Sequence, residues 1–130
     1  MVTHLKKLRP HIDQRGWFVE VLKRNQINND IQQISVASLK TGAIRGNHYH
    51  LKRVEWFFVF GGEAQFYVEN IKTRKGHSFK FSSEDPKVVV VFPNTAHAVK
   101  NLSKKTIYLL EIQNDIYNPK NPDKYPYLIL

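Results

Sequence analysis

The chain contains no cysteine, so neither disulfides nor thiolate chemistry is open to it. That absence fits a reducing compartment, and a cytoplasmic protein is expected. Acidic side chains are scarce: 11 Asp and Glu stand against 20 Lys and Arg, for a formal net charge of +9. No apolar run approaches the ~20 residues that a membrane-spanning helix needs. The start, Met1-Val2-Thr3-His4-Leu5-Lys6-Lys7, lacks the apolar core of a signal peptide. No membrane contact is expected. The basic residues fall in scattered small groups: Lys6-Lys7, Lys23-Arg24, Lys72 with Arg74-Lys75, and Lys104-Lys105. With no long basic tract and no aromatic-rich recognition motif, they do not read as a nucleic-acid surface. The excess of positive charge favours a small anionic ligand such as a nucleotide diphosphate.

Helical periodicity is also missing. No segment holds a 3.6-residue apolar period for more than about two turns. In its place are short runs rich in Val, Ile, Phe, Tyr and Trp, broken by Gly, Asn and Pro. They predict strands near 3–8, 17–22, 31–38, 43–50, 54–60, 63–70, 77–82, 87–92, 95–101 and 106–113. At 130 residues and 42% hydrophobic, the chain reads as one domain, 1–130, with a proper core. Many short strands at this turn spacing argue an all-β barrel or jelly roll. Phe60-Gly61-Gly62-Glu63 joins two apolar runs and reads as a tight hairpin. The stretch 114–126, with Pro119, Pro122 and Pro126, has no strand pattern. It is expected as an ordered loop across the barrel mouth or as a loose surface loop.

Two strands are apolar on both faces. In 54–60, Glu55, Phe57 and Val59 share one face, and Trp56, Phe58 and Phe60 share the other. Val88 to Phe92 is unbroken apolar. Two dry faces call for a second layer. A homodimer is the expected source, and closure by the chain's own N-terminal strands is the alternative.

The chemistry is concentrated in a few ligand-type side chains. Gly42 to Gly62 reads G-x5-H-x-H-x4-E-x6-G, and Pro93 to Asn101 reads P-x3-H-x3-N. Residues i and i+2 of a strand share a face, so His48 and His50 can reach one ion from a single strand. Glu55 would come from the next strand and His97 from a third. Three imidazoles and a carboxylate suit a divalent metal: zinc, iron, nickel or manganese. Arg45 lies out of phase with both histidines on a regular strand, so a role beside them requires a bulge near Gly46.

These two stretches resemble the paired motifs of the cupin superfamily, which implies a single-domain jelly-roll barrel. The first matches at every fixed position. The second departs at Lys87 and Thr95, where glycines are usual. Asp13-Gln14-Arg15-Gly16-Trp17-Phe18-Val19-Glu20 resembles the D-x-R-G-x-F-x-E stretch of the dTDP-4-dehydrorhamnose 3,5-epimerases. Gln33, Arg45-Gly46-Asn47-His48 and Tyr117-Asn118-Pro119 resemble further elements of those enzymes. R-G-N-H-x-H followed by a carboxylate, with the tail Asn118 to Tyr125, is similar to the C-terminal cupin domain of capsular polysaccharide synthesis enzymes. The sugar-nucleotide 3,4-ketoisomerases share R-G-x-H-x-H.

The resemblance implies an epimerase or isomerase acting on a dTDP- or UDP-linked 4-keto-6-deoxy sugar, by proton abstraction next to the ketone. It assigns His48 as base and Tyr117 as acid. Arg15 and Arg45 would grip the diphosphate, Phe18 would pack on the nucleotide base, and Glu20 and Gln33 would bond base or ribose. The rhamnose epimerases use a free histidine and no metal, whereas this chain adds His50 and Glu55. His48 is therefore either a ligand in a metal site or the base of a metal-free one. Two other functions stay open: a different metal-dependent cupin enzyme, such as a dioxygenase or decarboxylase, and a non-catalytic small-molecule-binding cupin.

Overall fold

The computed structural model describes residues 3–24 and 30–130. It is all-β, with no α-helix among the described residues. The strands are β1 (Thr3–Lys7), β2 (His11–Asp13), β3 (Gly16–Phe18), β4 (Gln33–Leu39), β5 (Ile44–Tyr49) and β6 (Glu55–Phe60). They continue as β7 (Ala64–Asn70), β8 (Gly76–Phe81), β9 (Lys87–Val91), β10 (Thr95–Asn101), β11 (Ile107–Gln113) and β12 (Tyr125–Pro126). One five-stranded sheet runs β1-β9-β6-β11-β4 and a second runs β12-β5-β10-β7-β8, while among the described residues β2 and β3 pair only with each other. All pairings are antiparallel.

The core lies between the two large sheets. Phe57, Val59, Leu109, Val89 and Val91 of the first meet Phe66, Val68, Phe81 and Val99 of the second. Each Phe fully buried there stabilises the fold by about 1.5–3 kcal/mol before chain entropy is counted. The outer face of the first sheet carries Val54, Trp56, Val88, Val90 and Ile112, and Leu8, Val21 and Leu22 pack over it. The second layer over the dry face is thus the chain's own N-terminal segment, and Trp56 and Phe58 are 4% and 5% exposed.

Three expectations need correction. Phe60 to Glu63 is not a hairpin: β6 and β7 belong to different sheets. The turn is a corner that carries the chain across the barrel. A Cβ on Gly62 would sit 2.7 Å from the Ile107 side chain and 2.8 Å from Ser103 Oγ. The 17–22 strand is instead the second half of a short hairpin, β2–β3. The tail is not free of strand either, since Tyr125 and Pro126 pair with Tyr49 and His48. Proline is tolerated there because β12 is an edge strand.

Candidate functional site

His48 and His50 both come from β5 and its end, Glu55 opens β6, and His97 lies on β10. His97 is the direct cross-strand partner of His48. One ligand atom from each of the three histidines lies within 4.8 Å of the others. Glu55 Oε1 is 2.8 Å from His50 Nε2 and 3.7 Å from His97 Nε2. The structure therefore brings together all four side chains that the spacing selected.

The pairing of β5 with β10 slips by one residue between Gly46 and His48. Gly46 has φ +100 and Asn47 φ +58, so the bulge sits where Arg45 requires it. Arg45 and His48 line one narrow cavity with Phe57, His97, Val99, Leu109 and Glu111. Arg45 Nε also donates to the Ser38 carbonyl at 3.0 Å, which ties β5 to β4.

Burial and mutual repulsion set the charges. Burial, with His97 and His50 adjoining, pushes His48 down to about 3. Burial pushes His97 down to about 4 against the pull of Glu55. Both rings are held neutral, the form that coordinates a metal. His50 differs: burial opposes its charge, but Glu55 and the Asp123 carbonyl raise its pKa above the usual value. Burial acts to raise Glu55, and His50, His97 and Arg53 outweigh it, so its pKa is lowered. His50 Nε2 and Glu55 Oε1 approach closely, yet neither is aligned in a hydrogen bond. Their attraction is electrostatic, and both atoms are buried without a hydrogen-bond partner. Buried polar atoms are normally satisfied. A cation among these nitrogens and the carboxylate would satisfy them, so the donor set fits a divalent first-row metal.

Two residues beside the site escaped the sequence reading. Glu111 lines the His48 cavity, and burial, then the Glu55 carboxylate, raise its pKa. Its signal is a charged residue in the inward phase of an apolar strand, with Leu109 and Gln113 on either side. Asp123 lies in the tail. Its carboxylate accepts from the backbone N–H groups of Leu51, Lys52 and Arg53 at 2.8, 3.0 and 3.1 Å. Its carbonyl lies 2.5 Å from His50 Nδ1.

The remaining predicted residues are dispersed. Gln33 sits at the rim, where its Oε1 accepts from the Tyr117 N–H at 2.8 Å. Tyr117 is exposed at that rim and is not among the residues lining the His48 cavity. Arg15 and Phe18 lie on the β2–β3 hairpin, around an open groove shared with His11, Asp13 and Trp17. Arg15 pairs with its near neighbour Asp13 at 2.5 Å. Glu20 is exposed and pairs with Lys23 at 3.1 Å. Trp17 faces Phe58 and Phe60 on the outer side of the first sheet, away from the barrel interior.

A family model described as the polysaccharide biosynthesis C-terminal domain matches residues 11–125. The chain belongs to that family. It is 28% identical over 126 residues to the spore coat polysaccharide biosynthesis protein SpsL of Bacillus subtilis (strain 168), across 92% of this chain and 83% of SpsL. Among solved structures, the capsular polysaccharide assembling protein CapF from Staphylococcus aureus matches with a TM-score of 0.73 at 26% identity. That match covers 94% of this chain and 34% of CapF, so the chain spans about a third of that relative. The dTDP-6-deoxy-D-glucose-3,5-epimerase RmlC from Legionella pneumophila Philadelphia 1, crystallised with dTDP-4-keto-L-rhamnose, matches with a TM-score of 0.85 at 18% identity. It covers 98% of this chain and 73% of RmlC, and at that identity it shows the shared cupin jelly-roll fold.

Proposed function

We propose that this protein is an epimerase or isomerase of a nucleotide-linked 4-keto-6-deoxy sugar in polysaccharide biosynthesis, with a divalent metal held by His48, His50, Glu55 and His97. The observation that carries the reading is the cluster of three histidines and a buried carboxylate, two of whose histidines, His48 and His97, line a cavity with Arg45 and Glu111. Kinship with polysaccharide biosynthesis proteins supports it, as does a fold shared with a dTDP-sugar epimerase. When bound, the ion would supply a Lewis acid for the ketone oxygen.

The protein's own groups divide the remaining work. His48, held near 3, is a weak base but a good neutral ligand, which favours coordination over proton transfer. Glu111, with its pKa raised, is the better group to take the proton from the carbon next to the ketone. The C–H electron pair then passes into an enolate, and Arg45 offsets its negative charge. Tyr117 does not line this cavity, so solvent at its mouth returns a proton on the opposite face, and Glu111 gives its own proton to solvent to close the cycle. Arg15 and Phe18, on a hairpin away from this cavity, would meet the nucleotide only if a second copy of the chain brought its hairpin to the mouth.

Incubation in D2O with dTDP- and UDP-linked 4-keto-6-deoxy sugars tests the proposal. Wild-type protein should place deuterium on the carbon next to the ketone. Glu111→Gln should abolish this while retaining metal, and His48→Asn should lose both. Absence of exchange with either nucleotide sugar would refute the reading, and metal-free protein that turns over fully would refute its metal part.

A further inference from the structure

His50 is a histidine whose two nitrogens have separate partners. Nε2 faces Glu55 at 2.8 Å inside the ligand cluster, and Nδ1 faces the Asp123 carbonyl at 2.5 Å. A carbonyl oxygen only accepts, so Nδ1 carries a proton in that contact. In the neutral ring the lone pair is then left on Nε2, directed at the ion site.

Asp123 is held in place by unusual means. It is a non-glycine residue at φ +43, a strained backbone region. Its carboxylate receives three consecutive backbone N–H groups, from Leu51, Lys52 and Arg53. The flanks are fixed as well. Arg53, itself buried, donates to Asp115 at 2.8 Å and to the Pro122 carbonyl at 3.4 Å. Two residues on, the Tyr125 ring stacks against Tyr49. The turn at 51–53 and the tail thus clamp each other around the His50 ring.

We infer that Asp123 is a positioning residue for the ion site: its carboxylate anchors the tail to the 51–53 turn so that its carbonyl fixes the tautomer and aim of His50. The inference rests on the metal reading above for its affinity arm and on geometry alone for its tautomer arm. Partners that fix a ligating histidine are worth roughly 10–100-fold in metal affinity.

Nitrogen-15 NMR of the metal-free chain, at a pH above the titration of His50, should show the His50 proton on Nδ1. Zinc affinity, measured by competition with a chelator, should fall 10- to 100-fold in Asp123→Ala. Asp123→Asn, which keeps an acceptor oxygen and tolerates the left-handed backbone, should recover most of that loss. A merely structural role would lower thermal stability in the alanine variant but leave the tautomer on Nδ1. The inference is overturned if wild-type His50 carries its proton on Nε2, whatever the variants do. It is equally overturned if Asp123→Ala folds with wild-type zinc affinity and an unchanged tautomer. Wild-type protein that binds no zinc would remove the metal reading, and the NMR arm would still decide the role of Asp123.

Discussion

At Gly46 a Cβ would lie 2.6 Å from the His97 carbonyl oxygen and 2.9 Å from the Ala98 Cα, both backbone atoms. The φ of +100 adds a second obstacle to any side chain. Gly46→Ala should therefore cost at least the ~1–3 kcal/mol of a residue forced into a strained conformation. Urea unfolding should show this as a lower midpoint, and zinc titration as weaker binding, because the His48–His97 register moves. Unchanged midpoint and binding would mean that the bulge is not needed. The same residues predict a pH dependence with chelator present. His48 and His97 have folded pKa values pulled down to about 3 and about 4, while the unfolded chain takes up protons near 6.5. As pH falls below 6.5 the unfolded state binds more protons, so stability is lost. Glu55, lowered from 4.5, contributes stability above that value and loses it on further acidification. His50 runs the other way: its pKa is raised, so its contribution is present below the unfolded value and lost as pH rises through the folded one. Glu111, whose pKa is raised, also gains on acidification, and the two depressed histidines with Glu55 outweigh it and His50 together. The urea midpoint should fall from pH 7 to pH 4, and a midpoint that rises would contradict neutral His48 and His97.

The clustered histidines and Glu55 are legible in the sequence because strand alternation and motif spacing fix which side chains can share a face. The need for a bulge at Gly46 is legible for the same reason, since Arg45 is out of phase without one. Alternation says nothing about partners. Phe60 to Glu63 carries the sequence marks of a hairpin, yet β6 pairs with β9 and β11, and β7 with β8 and β10. Glu111 and Asp123 are hidden by that gap. One reaches the site only through the pairing of β11 with β6, the other through the return of the tail onto β5. The short elements are hidden by length. Three residues in β2 and two in β12, one of them a proline, are too few to display a period.

At the scale of the whole molecule, two apolar surfaces stand out among the described residues. The β2–β3 hairpin exposes Ile12, Trp17 and Phe18. The edge strand β4 turns outward Ile34 and Val36, at 61% and 62% exposure, beside Tyr108. Exposed apolar residues on an unpaired edge mark an association surface. The expected state is a homodimer, with sedimentation at low micromolar concentration giving twice the 15.3 kDa chain mass. Ile34→Lys with Val36→Lys should shift it to monomer, and a monomeric wild type would contradict the expectation. The sheet order also bears on the speed of assembly. The pairs β1–β9, β4–β11 and β5–β12 each join segments distant in the chain, whereas β7–β8 is a local hairpin. Long loops must close before such contacts give anything back, which places folding of this kind of barrel on the order of milliseconds to seconds. During that interval the edge strand is uncovered while the histidines and the clamping tail have yet to meet. A newly made chain is therefore most prone to aggregate before it can bind anything.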